Sequence, residues 1–188
     1  MFTDLVGYTS LAQKNESLAL ELLEQHRVAL RGCLLRHNGK EIKTMGDGFL
    51  VEFGSALEAV NCGRAMQEAL KRLNATLPPE RKILVRIGIH VGDIVHSKGD
   101  IHGDAVNVAS HIERLAGPGE ICMTQQVYDH VRNKIDFQVE FLGKRALKNV
   151  EFPVDVYKVP QVAERALPAS STSLTKHRIA VLPLANIS

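Results

Sequence analysis

Apolar positions along this chain follow two periods, and the switches between them mark out its elements. Across residues 16–36, Leu18, Leu20, Leu22, Leu23, Val28, Leu30, Leu34 and Leu35 fall at helical spacing, and Asn38-Gly39 ends the run as a left-handed cap. Residues 40–45 and 49–53 have strand character on either side of Gly46-Asp47-Gly48, which predicts a hairpin with an Asp-Gly turn. Residues 55–73 form a second amphipathic helix, with Ser55 as N-cap and Glu58 completing a capping box. A Pro-containing loop over 74–81 leads to strands over 82–91 and 93–97, joined at Gly92, and then to a Gly-rich connector over 98–103. A third helix covers 104–116, with Val106, Ala109, Ile112 and Leu115 as its buried stripe, and Gly117-Pro118-Gly119 stops it. A strand over 120–123, a short helix over 124–133 and strands over 137–142 and 154–159 complete the pattern. At the start, residues 1–6 read as a short strand, cut as if from a longer one. Gly7 to Ser10 turns it into a helix capped by Thr9 or Ser10. Hairpin strands with helices dispersed among them predict an α+β fold, a mixed sheet with helices packed mainly on one face.

The pattern changes near Pro160. Residues 161–176 are Ala/Ser/Thr-rich without periodicity and read as a linker, so the domain proper spans 1–160. Residues 177–188 open with RIAVLPL, the first strand of a following region. A lone strand is not stable by itself, so either the chain is a fragment of a longer protein or this strand docks on the domain.

Composition narrows the function classes. Apolar residues at 45% suffice for a core, and a net charge of +2 with 5% aromatics and no Trp argues against a nucleic-acid partner. Cys33, Cys62 and Cys122 lack metal-ligand spacing and read as reduced core residues of a cytoplasmic protein. No run approaches the ~18 apolar residues of a membrane span, and no basic leader precedes the first strand.

Five segments carry candidate chemistry. In Phe2 to Thr9 (FTDLVGYT), Asp4 stands at a strand end before a Gly-containing turn. It is either a polar terminus or a ligand for a hard cation, with free N–H groups of the turn facing phosphate. In Lys43 to Phe49 (KTMGDGF) the hairpin tip presents Asp47; two carboxylates on adjacent strands could bridge two divalent ions about 3.5–4 Å apart. Arg86, in RIGIHVGD, is either a snorkelling surface residue or a phosphate ligand. Asn107 and His111 lie one turn apart on a shared helix face. The basic cluster LGKRALKN, residues 142–149, reads alone as solvated surface.

In this order and spacing, FTDxVGYT, KTxGDGF, RIGIHxGD, GDAVNxAS and LGxxxLK resemble the class III adenylyl/guanylyl cyclase catalytic domain over residues 1–159. The resemblance implies a ferredoxin-like α+β fold and a head-to-tail homodimer with two equivalent sites at its interface. It makes Asp4 and Asp47 the ligands of two Mg²⁺ or Mn²⁺ ions, with the Leu5 carbonyl as a backbone ligand. The N–H groups of Val6, Gly7, Tyr8 and Thr9 become the phosphate-binding turn, Arg86 the triphosphate arginine and Lys148 the lysine of the terminal phosphates. The family pattern there is Leu-Lys-Gly, whereas this chain has Asn149.

Lys43 and Asp100 match the base-reading pair for adenine: an ammonium donates to N1 and a carboxylate accepts from the N6 amino group, a pattern guanine reverses. ATP is therefore the expected substrate and cyclic AMP the product, in bacterial intracellular signalling. Asn107 matches the residue that orients the ribose. His111 stands where the family has the arginine of the transition state, a weaker and mostly neutral donor. That departure leaves a degenerate, nucleotide-binding regulatory domain as the alternative, with a guanylyl cyclase as a third reading. The RIAVLPL tail resembles the start of TolB-like or TPR-containing regions that follow such domains in bacterial proteins, which implies a C-terminal regulatory part.

Overall fold

The computed structural model describes residues 1–161; the linker beyond Gln161 and the RIAVLPL strand lie outside them. In chain order the elements are β1 (Phe2–Leu5), α1 (Tyr8–Lys14), α2 (Glu16–Arg36), β2 (Lys40–Met45), β3 (Gly48–Glu52), α3 (Ala56–Asn74), β4 (Val85–Ile89), β5 (Val95–Ser97), β6 (Asp100–His102), α4 (Asp104–Leu115), β7 (Ile121–Thr124), α5 (Gln125–Val131), β8 (Glu140–Arg145) and β9 (Val154–Val159), with a 3₁₀ turn at Pro79–Arg81. Seven strands form one sheet in the order β2-β3-β1-β4-β7-β9-β8, and β5-β6 is a separate hairpin. All pairings are antiparallel except β4 with β7.

The alternation of side chains along each strand gives the sheet two different faces. Leu5, Phe49, Val51, Val85, Ile87, Ile89, Ile121 and Met123 point to the side covered by α2, α3 and α5, with Leu30, Val60, Met66 and Val127 among the helix residues they meet. Helix α4 packs by itself on the other side, where Val108, Ile112 and Ala116 meet Cys122, Leu147 and Val156. The α+β reading with helices mainly on one face therefore holds. The single helix on the opposite face is the one that carries Asn107 and His111.

Several local expectations are corrected. Gly7, at φ 77°, caps α1, and neither Thr9 nor Ser10 does; the left-handed turn out of β1 needs a residue without Cβ. Asn15 caps α2 instead, accepting from the Leu18 N–H. Ser55 precedes α3 as expected but makes no side-chain cap, and Glu58 accepts from Asn38 Nδ2 at 2.7 Å, so no capping box forms. The connector over 98–103 contains β6: Lys98 and Gly99, both at positive φ, make the two-residue turn of a β5–β6 hairpin. The loop of the β2–β3 hairpin is Gly46-Asp47, and Gly48 already belongs to β3. The buried stripe of α4 is Val108, Ala109, Ile112 and Glu113, rotated from the expected one because the helix also lies against β4. All three cysteines are free and buried, as expected of core residues.

Candidate functional site

Strand β1 sends Thr3 and Leu5 into the α2/α3 side, which leaves Asp4 facing the α4 side. Its direct cross-strand partner there is Arg86 on β4. Asp47 reaches the same corner because β3 pairs with β1, Thr3 opposite Phe49, which brings the hairpin tip over the end of β1. That approach depends on Gly48: a Cβ there would collide with the Thr3 carbonyl oxygen. The Thr3 hydroxyl accepts from the Phe49 N–H at 3.0 Å and fastens the two strands beside the site.

Negative charge is crowded in this corner. Burial pushes the Asp47 carboxyl up, and the charge of Asp4 adds to that against the pull of its own backbone bond and of Arg86. Arg86 is held above its usual value chiefly by its hydrogen bonds to Asp4, donated by Nε at 3.1 Å and by Nη2. Glu113 on α4 approaches the same guanidinium, with Oε1 3.2 Å from Nε, within ion-pair distance but without a hydrogen bond. Burial, then the charge of Asp4, pushes the Glu113 carboxyl up to about 7, against the pull of Arg86.

Lys43 and Asp100 are 57 residues apart in sequence, yet Lys43 Nζ donates to Asp100 Oδ2 at 2.5 Å. The β5–β6 hairpin makes this contact by carrying Asp100 against β2. The hydrogen bond from Lys43 is the main cause that holds the Asp100 carboxyl below the usual range, and the Ile101 N–H adds to it.

Asn107 and His111 sit on α4 at i and i+4, Asn107 exposed and His111 half-buried. Neither side chain has a hydrogen-bond partner among the described residues. Lys148 is exposed in the turn after β8. Asn149 beside it has φ 61°, the left-handed conformation that a glycine takes freely and asparagine tolerates. The departure from Leu-Lys-Gly thus preserves the backbone turn, which Val150 N–H closes onto the Leu147 carbonyl at 3.2 Å. The turn after β1 is partly corrected: the Val6 N–H donates to the Leu84 carbonyl at 2.8 Å and does not face outward. Those of Gly7, Tyr8 and Thr9 have no backbone acceptor among the described residues. Leu5 has a buried side chain, so only its backbone can serve a ligand.

Sequence reasoning missed two residues. Glu113 is one, a carboxylate inside the buried stripe of α4 that signals a buried cation opposite. Gly88 is the other; the Glu113 N–H and Cα and the Ala109 carbonyl oxygen occupy the space of a Cβ, so this glycine lets α4 lie directly on β4. As a cation site, the corner offers two carboxylates and backbone oxygens, an all-oxygen set suited to a hard divalent ion. Among the described residues no group of three or more His, Cys, Asp or Glu side chains forms a metal cluster. Burial first, and then the charge of Asp4, disfavours the ionised Asp47 carboxylate, and a cation bound there would offset both.

Comparison with known proteins agrees with this geometry. The chain is 36% identical over 195 residues to a Rhizobium meliloti protein named "Putative adenylate cyclase 3", covering 98% of this chain but only 33% of that relative's length. Its fold superimposes on an adenylate/guanylate cyclase/hydrolase structure from Silicibacter pomeroyi with a TM-score of 0.74 and 33% identity, over 84% of this chain and 93% of the other. The adenylyl cyclase CyaB of P. aeruginosa gives a TM-score of 0.72 with 26% identity, over 87% and 93% of the two chains. No helix among the described residues is long and apolar enough to cross a membrane. The family described as the Adenylate and Guanylate cyclase catalytic domain matches residues 1–159, and this chain belongs to it.

Proposed function

We propose that this domain is an adenylyl cyclase that converts ATP to 3′,5′-cyclic AMP and pyrophosphate at sites shared between two copies of the chain. The observation that carries this reading is the Lys43–Asp100 pair, joined at 2.5 Å. One donor and one acceptor at that spacing suit the N1 and N6 positions of adenine and oppose those of guanine. Two divalent cations, Mg²⁺ or Mn²⁺, held by Asp4, Asp47 and the Leu5 carbonyl would supply Lewis acidity and neutralise triphosphate charge. Arg86, Lys148 and the N–H groups of Gly7, Tyr8 and Thr9 bind the phosphates. Asn107 holds the ribose so that its 3′-oxygen lies in line with the α-phosphorus. The 3′-hydroxyl gives up its proton to water as the new P–O bond forms and the bond to pyrophosphate breaks, and His111 donates to the α-phosphate oxygens.

The test is an assay of the purified dimer with Mn-ATP and Mn-GTP, with Lys43→Glu and Asp47→Asn alongside. Wild type is expected to make cyclic AMP and little cyclic GMP, Lys43→Glu to lose preference for ATP, and Asp47→Asn to be inactive. No cyclic AMP at any pH from 6 to 9 sinks the reading. His111 supports a second reading, a domain that binds ATP without turnover and regulates the rest of a longer bacterial cytoplasmic protein. It predicts ATP binding by wild type and a gain of activity in His111→Arg.

A further inference from the structure

Arg86 is claimed by two carboxylates with different surroundings. Asp4 lies at the open corner, its side chain 27% exposed, and takes both Nε and Nη2. Glu113 is 9% exposed at its side chain and lies 3.2 Å from the same Nε. These partners are not equivalent. Under the proposed function the oxygens of Asp4 turn to a cation, and a second positive charge beside Arg86 then repels the guanidinium. An arginine with Asp4 as its only anchor would swing into solvent when the site loads.

Glu113 is placed to prevent this. Its backbone is pressed onto the strand at Gly88, two residues from Arg86, so the helix cannot rock away without opening a gap against β4. Ile112 and Ala116 pack beside it into the α4 layer. The carboxylate is therefore held at a fixed height beside the guanidinium. Its Oε1 is buried without a hydrogen bond, an acceptor still to be used.

We propose that Glu113 is a positioning residue: it retains Arg86 when Asp4 is given up to the cation, and so aims the guanidinium at the triphosphate. This rests on the cyclase reading for the ligand, but not for the motion. In the unloaded state Arg86 bridges Asp4 and Glu113. In the loaded state it keeps Glu113 alone, turns its remaining N–H groups outward and closes the short hydrogen bond that the unloaded geometry lacks. A guanidinium held by a fixed carboxylate loses less entropy on meeting phosphate than a free one. The competing role is structural, with Glu113 simply neutralising a half-buried arginine; that role predicts a loss of stability and no change in ligand handling.

The experiment compares wild type, Glu113→Gln, Arg86→Lys and the double variant. The Michaelis constant for Mn-ATP and the dissociation constant of Mn–tripolyphosphate are expected to rise about tenfold in Glu113→Gln, with kcat changed less than threefold and the melting temperature nearly unchanged. The double variant should be no worse than Arg86→Lys, because both act through one guanidinium. Independently of turnover, the Arg86 Nε–H resonance should stay protected from exchange in Mg²⁺-saturated wild type and lose protection in Glu113→Gln. Should Glu113→Gln fail to fold, Glu113→Asp, one methylene short, is expected to show the same pattern in weaker form. A protected Nε–H in Glu113→Gln, or additive losses in the double variant, overturns the proposal. A wild type without cyclase activity that still shows the exchange difference overturns the proposed function and leaves this positioning role standing.

Discussion

Gly88→Ala tests how far the site depends on the seating of one helix. A methyl group at residue 88 would lie 2.5 Å from the Glu113 Cα and 2.6 Å from the Ala109 carbonyl oxygen, and closer still to the Glu113 N–H. All three are backbone atoms, so no side chain can rotate away. Ordinary contact begins near 3.4 Å, so α4 must retreat by about 1 Å or tilt by as much, at a cost of roughly 1–3 kcal/mol for overpacking. In a chain of this size that corresponds to a fall in melting temperature of about 3–10 °C. The functional loss should be larger in proportion. Withdrawing α4 takes Glu113 away from Arg86 and shifts Asn107 and His111 together, and a misplacement of about 1 Å can cost 10²-fold in rate. The assay is differential scanning calorimetry paired with cyclase turnover under Mn-ATP. A variant with an unchanged melting temperature and turnover within twofold of wild type would refute the claim that Gly88 sets the height of α4.

Three further outcomes follow from individual side chains. His26 is fully buried on α2 with neither ring nitrogen bonded, and burial, aided by Arg27, pushes it down to about 4. Its folded value lies below the unfolded one of about 6.5, so the unfolded chain binds the extra proton. Stability is then complete above pH 6.5 and falls by about 2 kcal/mol on going to pH 5. His26→Leu should remove that dependence and, by deleting an unpaired buried polar group, raise stability at pH 7 by about 1–3 kcal/mol; equal urea midpoint shifts with pH in both proteins would count against this. Thr3→Val keeps the shape but strands the Phe49 N–H, with an expected loss of about 1–2 kcal/mol in denaturant unfolding. His111→Arg should raise kcat for cyclic AMP formation at least tenfold, since an arginine acting on transition-state charge in phosphoryl transfer is worth ~10³–10⁵; an unchanged kcat would mean that His111 does not face the reacting phosphate.

Much of this protein was legible in one dimension because its signals are local. The helix at Glu16–Arg36 and the strand at Val154–Val159 were readable to the residue, since periodicity and turn chemistry act over neighbouring positions. The family likewise shows in short motifs, each confined to one turn or strand end. Local reasoning failed where a neighbour distant in sequence made the decision. Residues 98–103 look like a loop until Lys98 and Gly99 are seen to fold β6 back on β5, and Ser55 looks like a cap until Asn38 claims Glu58.

The sequence by itself determined which chemical groups exist: two aspartates proposed to hold a cation, a lysine and an aspartate proposed to read a base, and a histidine where the family motif has an arginine. The tertiary structure alone decided their pairing. Asp4 meets Arg86 by strand register, Lys43 meets Asp100 across 57 residues through a hairpin, and Glu113 reaches Arg86 because Gly88 leaves no Cβ between strand and helix. The physical reason is range. Propensity and periodicity act along the chain, whereas register and helix seating depend on atoms that packing brings together, and a charge gains a partner only once that packing exists.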